Sequence, residues 1–242
     1  AEHLEDPTEA ELQLEMVLSS KVDDESARDA LLALYEAEGR HSEVVAQLQE
    51  RVDLSGDAEQ KVALFFRMAR LQEEKMEEPE RAISSLKRIS DIEPKYLQAL
   101  DELARFFESG EKWHPLLNIL ERRFEATENE EEQVELRMRR AAVWDKGLGD
   151  VDQAIDAYRE VVDASPAHEG ALEALERLYA RAERWMELIE VYERQVRITH
   201  EEQQAIDILS RIATIWEERF RDIESATETL IRVLEVNPEH LP

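Results

Sequence analysis

The chain has 242 residues, 43% of them hydrophobic and 36% charged, with only 6 Gly and 7 Pro, so long helices joined by short turns are favoured over a β-rich fold. A formal charge of −28, from 58 acidic and 30 basic residues, opposes phosphate backbones and anionic membrane surfaces, and suits solubility and basic partners. With no Cys, disulfides, thiolate metal sites and Cys nucleophiles are excluded.

A helix is predicted around Pro7, Ala10 and Leu14, without a helix before it to pair with. Over residues 26–53, Leu31, Leu34 and Tyr35 form a stripe at i, i+3 and i+4. Gly39 offers the left-handed position that closes a helix, and Val44, Val45 and Leu48 form the next stripe. Residues 58–75 follow, with Leu64, Met68 and Leu71 on one face. Pro79 opens a fourth helix, where its missing N–H is harmless. That helix turns Ile83, Leu86 and Ile89 inward, and Pro94 ends it.

From there the chain repeats itself. Ala82, Ala154 and Ala226 stand 72 residues apart, as do Leu31, Leu103 and Leu175, then Tyr35, Phe107 and Tyr179, then Arg67, Arg139 and Arg211, then Pro94, Pro166 and Pro238. The four tryptophans fall into two pairs at the same offset, Trp113 with Trp185 and Trp144 with Trp216. Counting the pattern along the chain predicts about thirteen helices with turns of a few residues. The predicted fold is all-α, a solenoid of stacked antiparallel helix hairpins in 72-residue double repeats. Its parts are a half hairpin at residues 1–24 and double repeats at 25–96, 97–168 and 169–240. The chain begins inside a hairpin and stops just after Pro238 without polar caps. It is therefore expected to be a segment of a longer array, with end-to-end self-association through the cut ends as one consequence.

The repeating residues resemble the tetratricopeptide repeat family, whose hairpin spans about 34 residues, close to half of this unit. The second hairpin type carries the resemblance best. The family places a small residue where the helices cross, a small residue opening the second helix, a large apolar residue four later and a closing Pro. Ala69, Ala82, Leu86 and Pro94 look like those residues, followed by Ala141, Ala154, Tyr158 and Pro166, and then Ala213, Ala226, Leu230 and Pro238. The first hairpin type departs from the pattern, with Val44, Leu116 and Leu188 at the small position and no closing Pro, and is expected to be splayed or tilted differently. The second type carries one extra residue before its turn. Long alternating arrays of this kind look like those of large bacterial scaffold proteins. The resemblance implies a right-handed solenoid, and a non-catalytic scaffold that binds a protein or peptide.

Residues for chemistry are scattered rather than grouped. No two of His3, His41, His114, His168, His200 and His240 stand at i, i+4, and His41 occupies the repeat position of Trp113 and Trp185, which makes it a packing residue first. There is no phosphate-binding glycine loop and no calcium-loop spacing. Glu128 to Glu132 precede a helix, where acids suit the dipole. Glu73, Glu74, Glu77 and Glu78 surround a turn. Arg137, Arg139 and Arg140 are the densest basic cluster; internal ion pairs are the expected account, with an acidic partner as the alternative for Arg137 and Arg140. No catalytic residue, cofactor or metal is expected, nor nucleic acid or membrane insertion, since no apolar run approaches the roughly 20 residues of a span. The acidic start is no signal peptide. The compartment stays open, the cytoplasm slightly favoured.

The family resemblance implies a concave groove lined by the first helix of each hairpin. Groove positions lie off the core stripe and vary between repeats. One such column is Phe66, Met138 and Ser210, beside Arg70, Ala142 and Thr214. The other is Asp29, Asp101 and Glu173, beside Ala33, Arg105 and Arg177. Phe66 and Met138 lead. Phe66 beside Arg70 and Arg105 is suited to an apolar side chain with an acidic group or a C-terminal carboxylate; the alternative is that Phe66 packs on the neighbouring hairpin. An architectural spacer or self-assembly segment is the competing role.

Overall fold

The computed structural model describes residues 7–238, so His3 and His240 lie outside the described residues. Among the described residues the chain forms thirteen α-helices and two π-helical segments. It divides into two compact units, residues 1–126 and 127–242. The first unit holds α1 (Pro7–Ser20), α2 (Glu25–Ala37), α3 (His41–Leu54), α4 (Ala58–Glu74), α5 (Pro79–Ile92), α6 (Leu97–Ser109) and α7 (Trp113–Ala126). The second holds α8 (Glu130–Ala142), α9 (Val151–Ala164), α10 (Glu169–Arg181), α11 (Trp185–Ile198), α12 (Glu202–Ile215) and α13 (Ile223–Val236). Helices α2, α6 and α10 begin at Glu25, Leu97 and Glu169, a spacing of 72 residues.

Six of the described helices start where a side chain satisfies a free N–H group. Asp24, Asp57, Asn129, Asp150 and Asp222 accept from backbone N–H groups of the first turn, and His168 does so through Nδ1 at 3.2 Å from the Ala171 nitrogen. Pro79 sits in the first turn of α5. Helix ends use the left-handed conformation at matching places. Gly39, Glu111 and Glu183 have φ of 70°, 52° and 55°, and Glu77, Gly149 and Arg221 have 55°, 70° and 58°. Only two of these six are glycine, the residue that adopts this conformation without strain.

The extra residue of the second hairpin type is absorbed by widening the helix. Residues Val143–Leu148 and Trp216–Phe220 are π-helical, and the N–H of Asp150 and of Asp222 reaches back to the carbonyl of Trp144 and of Trp216, 3.0 Å in both cases. At the same place after α4, Met76 N–H donates to the Leu71 carbonyl and Glu78 N–H to that of Gln72. One inserted residue is what a π-bulge accommodates.

Packing follows the stripes. Leu31, Leu103 and Leu175 are at most 2% exposed, and Tyr35, Phe107 and Tyr179 are buried with them. Each fully buried Leu or Ile contributes about 1.5–3 kcal/mol. Ala69 on α4 and Ala82 on α5 are buried, as are Ala141 on α8 and Ala154 on α9. Small side chains let the axes approach, and α4 with α5 is the most closely packed pair of the first unit; α2 with α3, where Val44 stands at the crossing position, touches over less of its length. In the second unit Trp144, Trp185 and Trp216 are partly buried against the core. Where Trp144 stands, the preceding repeat has Gln72, buried and accepting from Ser85 Oγ at 2.8 Å.

Candidate partner-binding cleft

A cleft of about 550 Å³ opens between α4 and α6 in the first unit. Helix α4 turns Phe66, Ala69, Arg70, Glu73 and Glu74 to it, positions that repeat at three and four residues and so share a face. Helix α6 presents Gln98, Glu102, Arg105 and Phe106, and Leu86 of α5, 1% exposed, belongs to the lining. The Phe66 ring is half-buried and lies 5.6 Å from that of Tyr96, tilted by 49°. Tyr96 holds the N-cap position of α6, which Asp24 and His168 fill in α2 and α10; Tyr96 makes no side-chain cap and offers its ring to Phe66 instead.

The charges of the cleft are paired with one another. Arg105 donates to Glu73 at 2.8 Å and to Glu102 at 2.9 Å, and its guanidinium lies 4.4 Å over the Phe106 ring. Burial opposes the charge of Arg105, but the two carboxylates outweigh it and hold the proton more tightly than usual. Arg70 pairs with Glu74 at 3.4 Å, and Arg67 with Glu36 of α2. The structure thus differs from the sequence expectation that Arg70 and Arg105 await an acidic group. Their donors already face carboxylates of the same cleft.

The other expected groove residues are distributed. Asp29 pairs with Arg51 and Asp101 with Arg123 at 2.8 Å, each joining the two helices of one hairpin. Neither lines the cleft between α4 and α6; Asp29 lines a separate, more polar cleft of about 380 Å³ with Arg28, Arg51 and Gln60. Glu173 is exposed on α10. Ser210 is half-buried and donates to the Ile206 carbonyl at 2.8 Å. Gln98, Glu102 and Phe106 escaped the sequence reading, although each stands three, four or seven residues from a residue already chosen or beside it: the α6 face that carries Arg105 also carries Gln98 and Glu102.

In the second unit the equivalent place lies between α8 and α10. Arg177 is ion-paired with Asp145, whose side chain is only 4% exposed, and the hydrogen bond from Arg177 holds its proton more tightly than usual. The Tyr158 hydroxyl is 3.5 Å from Asp145 Oδ2. The Met138 methyl comes within 3.6 Å of where a Cβ on Gly170 would stand. Arg140 pairs with Glu160 at 3.0 Å, and Arg211 with Glu176 at 2.9 Å. Among the described residues no group of three or more His, Asp or Glu side chains is gathered as a metal site requires, and no helix is long and apolar enough to cross a membrane.

Comparison with known proteins gives the lattice a family. Two tetratricopeptide repeat models match, over residues 136–168 and 171–206. The chain is similar in fold to the structure of Naa15/Naa10 bound to HypK-THB, at 14% identity and a TM-score of 0.56 over 94% of this chain and 34% of that one. It also matches the C-terminal part of a TPR repeat-containing protein from Cytophaga hutchinsonii, at 12% identity and a TM-score of 0.45 over 97% and 92% of the two chains. A third match is YrrB, described as a TPR protein with an unusual peptide-binding site, at 16% identity and a TM-score of 0.42 over 80% and 93%. No curated protein matches in sequence. The helix hairpins and the two matched segments show that this chain carries tetratricopeptide repeats.

Proposed function

We propose that this tetratricopeptide-repeat scaffold holds a protein or peptide partner in the cleft between α4 and α6, with an apolar side chain of the partner against Phe66. A scaffold of this fold is generally non-catalytic, and its work is to hold partners. The observation that carries the reading is Phe66 itself: a large ring left half-exposed in a cleft of about 550 Å³, beside Phe106 and above buried Leu86. Aromatic groups in a concave site rimmed by polar residues are where interface energy concentrates. The charge of −28 supports a protein partner over nucleic acid.

The test compares capture by the unaltered chain, by Phe66→Ala and by Met138→Ala, all of matched helix content. Loss with Phe66→Ala and retention with Met138→Ala is the expected result. Equal capture by all three places the partner elsewhere.

Self-assembly is favoured by a separate observation. On α1, Leu12 and Met16 are 59% and 66% exposed, and on α13, Ile223, Ile231 and Leu234 are 61%, 51% and 43% exposed. Apolar faces of this kind mark association surfaces. Under this reading the mass in solution rises with concentration, and Met16→Glu or Ile231→Glu returns it to that of one chain. A single-chain mass at every concentration removes the reading.

A further inference from the structure

The cleft between α4 and α6 is charged as well as apolar, and the pattern of its charges selects among partners. Two carboxylates, Glu73 and Glu102, share the one guanidinium of Arg105. Each uses a single oxygen, Oε2, for that contact. The Arg70 and Glu74 pair is balanced, and Arg67 is balanced by Glu36. The group around Arg105 therefore has one more negative charge than positive. Glu73 and Glu102 are 36% and 41% exposed, so they are open to a partner yet close to apolar walls that keep screening water partly away.

The equivalent place in the second unit shows that this surplus is particular to the first. Asp145 and Arg177 pair one to one there, Ala174 stands where Glu102 is, and Lys146 stands where Glu74 is. The Arg-to-acid strut across the helices is common to both units; the second carboxylate on it is not. A strut alone needs one acid.

Building on the proposed cleft, we infer that its ligand is a cationic peptide segment, in which an apolar side chain seated against Phe66 and Phe106 is flanked by a Lys or Arg whose charge meets Glu73 and Glu102. An acidic segment would bring a third carboxylate to a guanidinium that already serves two. A basic segment supplies the missing charge, and the long-range field of a chain with a charge of −28 draws it in.

The test is a selection from decapeptides with a fixed central Leu and random neighbours, carried out on the whole chain. An acidic surface attracts cations everywhere, so only sequences whose capture is lost in a cleft-blocked variant are scored. Phe66→Ala removes the apolar wall. Gln98→Trp fills the space from an exposed position on α6 and leaves Phe66 in place, so a folding defect in one variant does not decide the result. Among scored sequences, Lys plus Arg at the positions flanking Leu is expected to be enriched at least about 3-fold over the input library, with an advantage that shrinks between low salt and 1 M salt. The double variant Glu73→Gln, Glu102→Gln releases Arg105 and is expected to turn the preference towards Asp and Glu. Cleft-dependent sequences that are neutral or acidic on the unaltered chain would overturn the charge inference and leave the cleft reading intact. Sequences captured equally by the blocked variants, or no enrichment at all, would overturn both.

Discussion

Between α4 and α6 stand Phe66, Glu73, Leu86, Gln98 and Glu102; 72 residues on, between α8 and α10, stand Met138, Asp145, Tyr158, Gly170 and Ala174. The frame is the same in both units, helix for helix and strut for strut, with Arg105 to Glu73 in one and Arg177 to Asp145 in the other. The contents differ. Tyr158 replaces Leu86 and carries its ring up to Asp145, and the shorter acid lies at 4% exposure where Glu73 keeps 36%. Met138, flexible where Phe66 is a rigid plate, reaches Gly170. The two places thus share a strut but differ at eight of the eleven positions that line the cleft, and a π segment follows α8 where α4 stays α-helical.

The strongest way to break the comparison is to empty the joint around Asp145. Tyr158→Ala removes a ring 3% exposed and is expected to destabilise by about 3–5 kcal/mol, against about 2–5 kcal/mol for Leu86→Ala. Urea unfolding of the two variants reads this as a lower midpoint, the Tyr158 variant being the lower. If the two midpoints coincide, Tyr158 is not the plug that the geometry makes it.

How far the sequence carries this contrast depends on the kind of residue. Stripes such as Leu31, Leu34 and Tyr35 place helices because burial has the period of the helix, and the 72-residue offset shows which residues are equivalent. The offset also exposes the additional residue ahead of Glu78, Asp150 and Asp222, though not that it widens the helix into a π segment. Phe66 was legible as a residue off the core stripe. The pairing of Arg105 was not: with 58 acids in the chain, sequence spacing alone does not tell which carboxylate a long side chain reaches across 32 residues. Asp101 lies outside the cleft for a related reason. It stands one residue from Glu102, which is about 100° around the helix, and so it faces Arg123 rather than the cleft.

Alkaline pH gives the next largest effect and touches both units. Burial first, and then the hydrogen bond to Glu176, push the Tyr192 hydroxyl up to about 12; burial and Glu11 push Tyr35 up to about 12 as well. An unfolded tyrosine releases its proton near pH ~10. The folded state therefore holds more protons between pH 10 and 12, and stability falls as the pH rises through that window. For Tyr192 the loss is about 1–2 kcal/mol after allowance for solvent screening. Tyr35→Phe and Tyr192→Phe each flatten their part of the decline, measured as the melting temperature at pH 9 against pH 11.5. A decline unchanged in both variants would assign it to other groups.

The struts sharpen the comparison with a smaller effect. Asp145→Asn removes the charge from a nearly buried acid and is expected to destabilise by about 1–2 kcal/mol, whereas Glu73→Gln, at a half-open site where Arg105 keeps Glu102, changes stability by less than about 0.5 kcal/mol. Equal losses would show that the two struts have the same burial in solution.

Tyr96 brings the comparison down to one helix end. Its counterparts Asp24 and His168 cap α2 and α10, while Tyr96 leaves its helix without a side-chain cap and spends its ring on Phe66. Stability and binding pull in opposite directions at this position. Tyr96→Asp supplies an acceptor for the N–H groups of the first turn and is expected to gain about 0.5–1 kcal/mol in α6. Loss of the ring contact with Phe66, at 5.6 Å, takes back part of that gain. The same change strips the aromatic rim from the cleft, so partner capture falls while the melting temperature holds or rises. A residue kept only for the lattice would give the reverse, a chain weakened by the substitution and binding unchanged. Thermal melting and capture measured on the one variant therefore separate a cleft shaped for a partner from a gap left by packing.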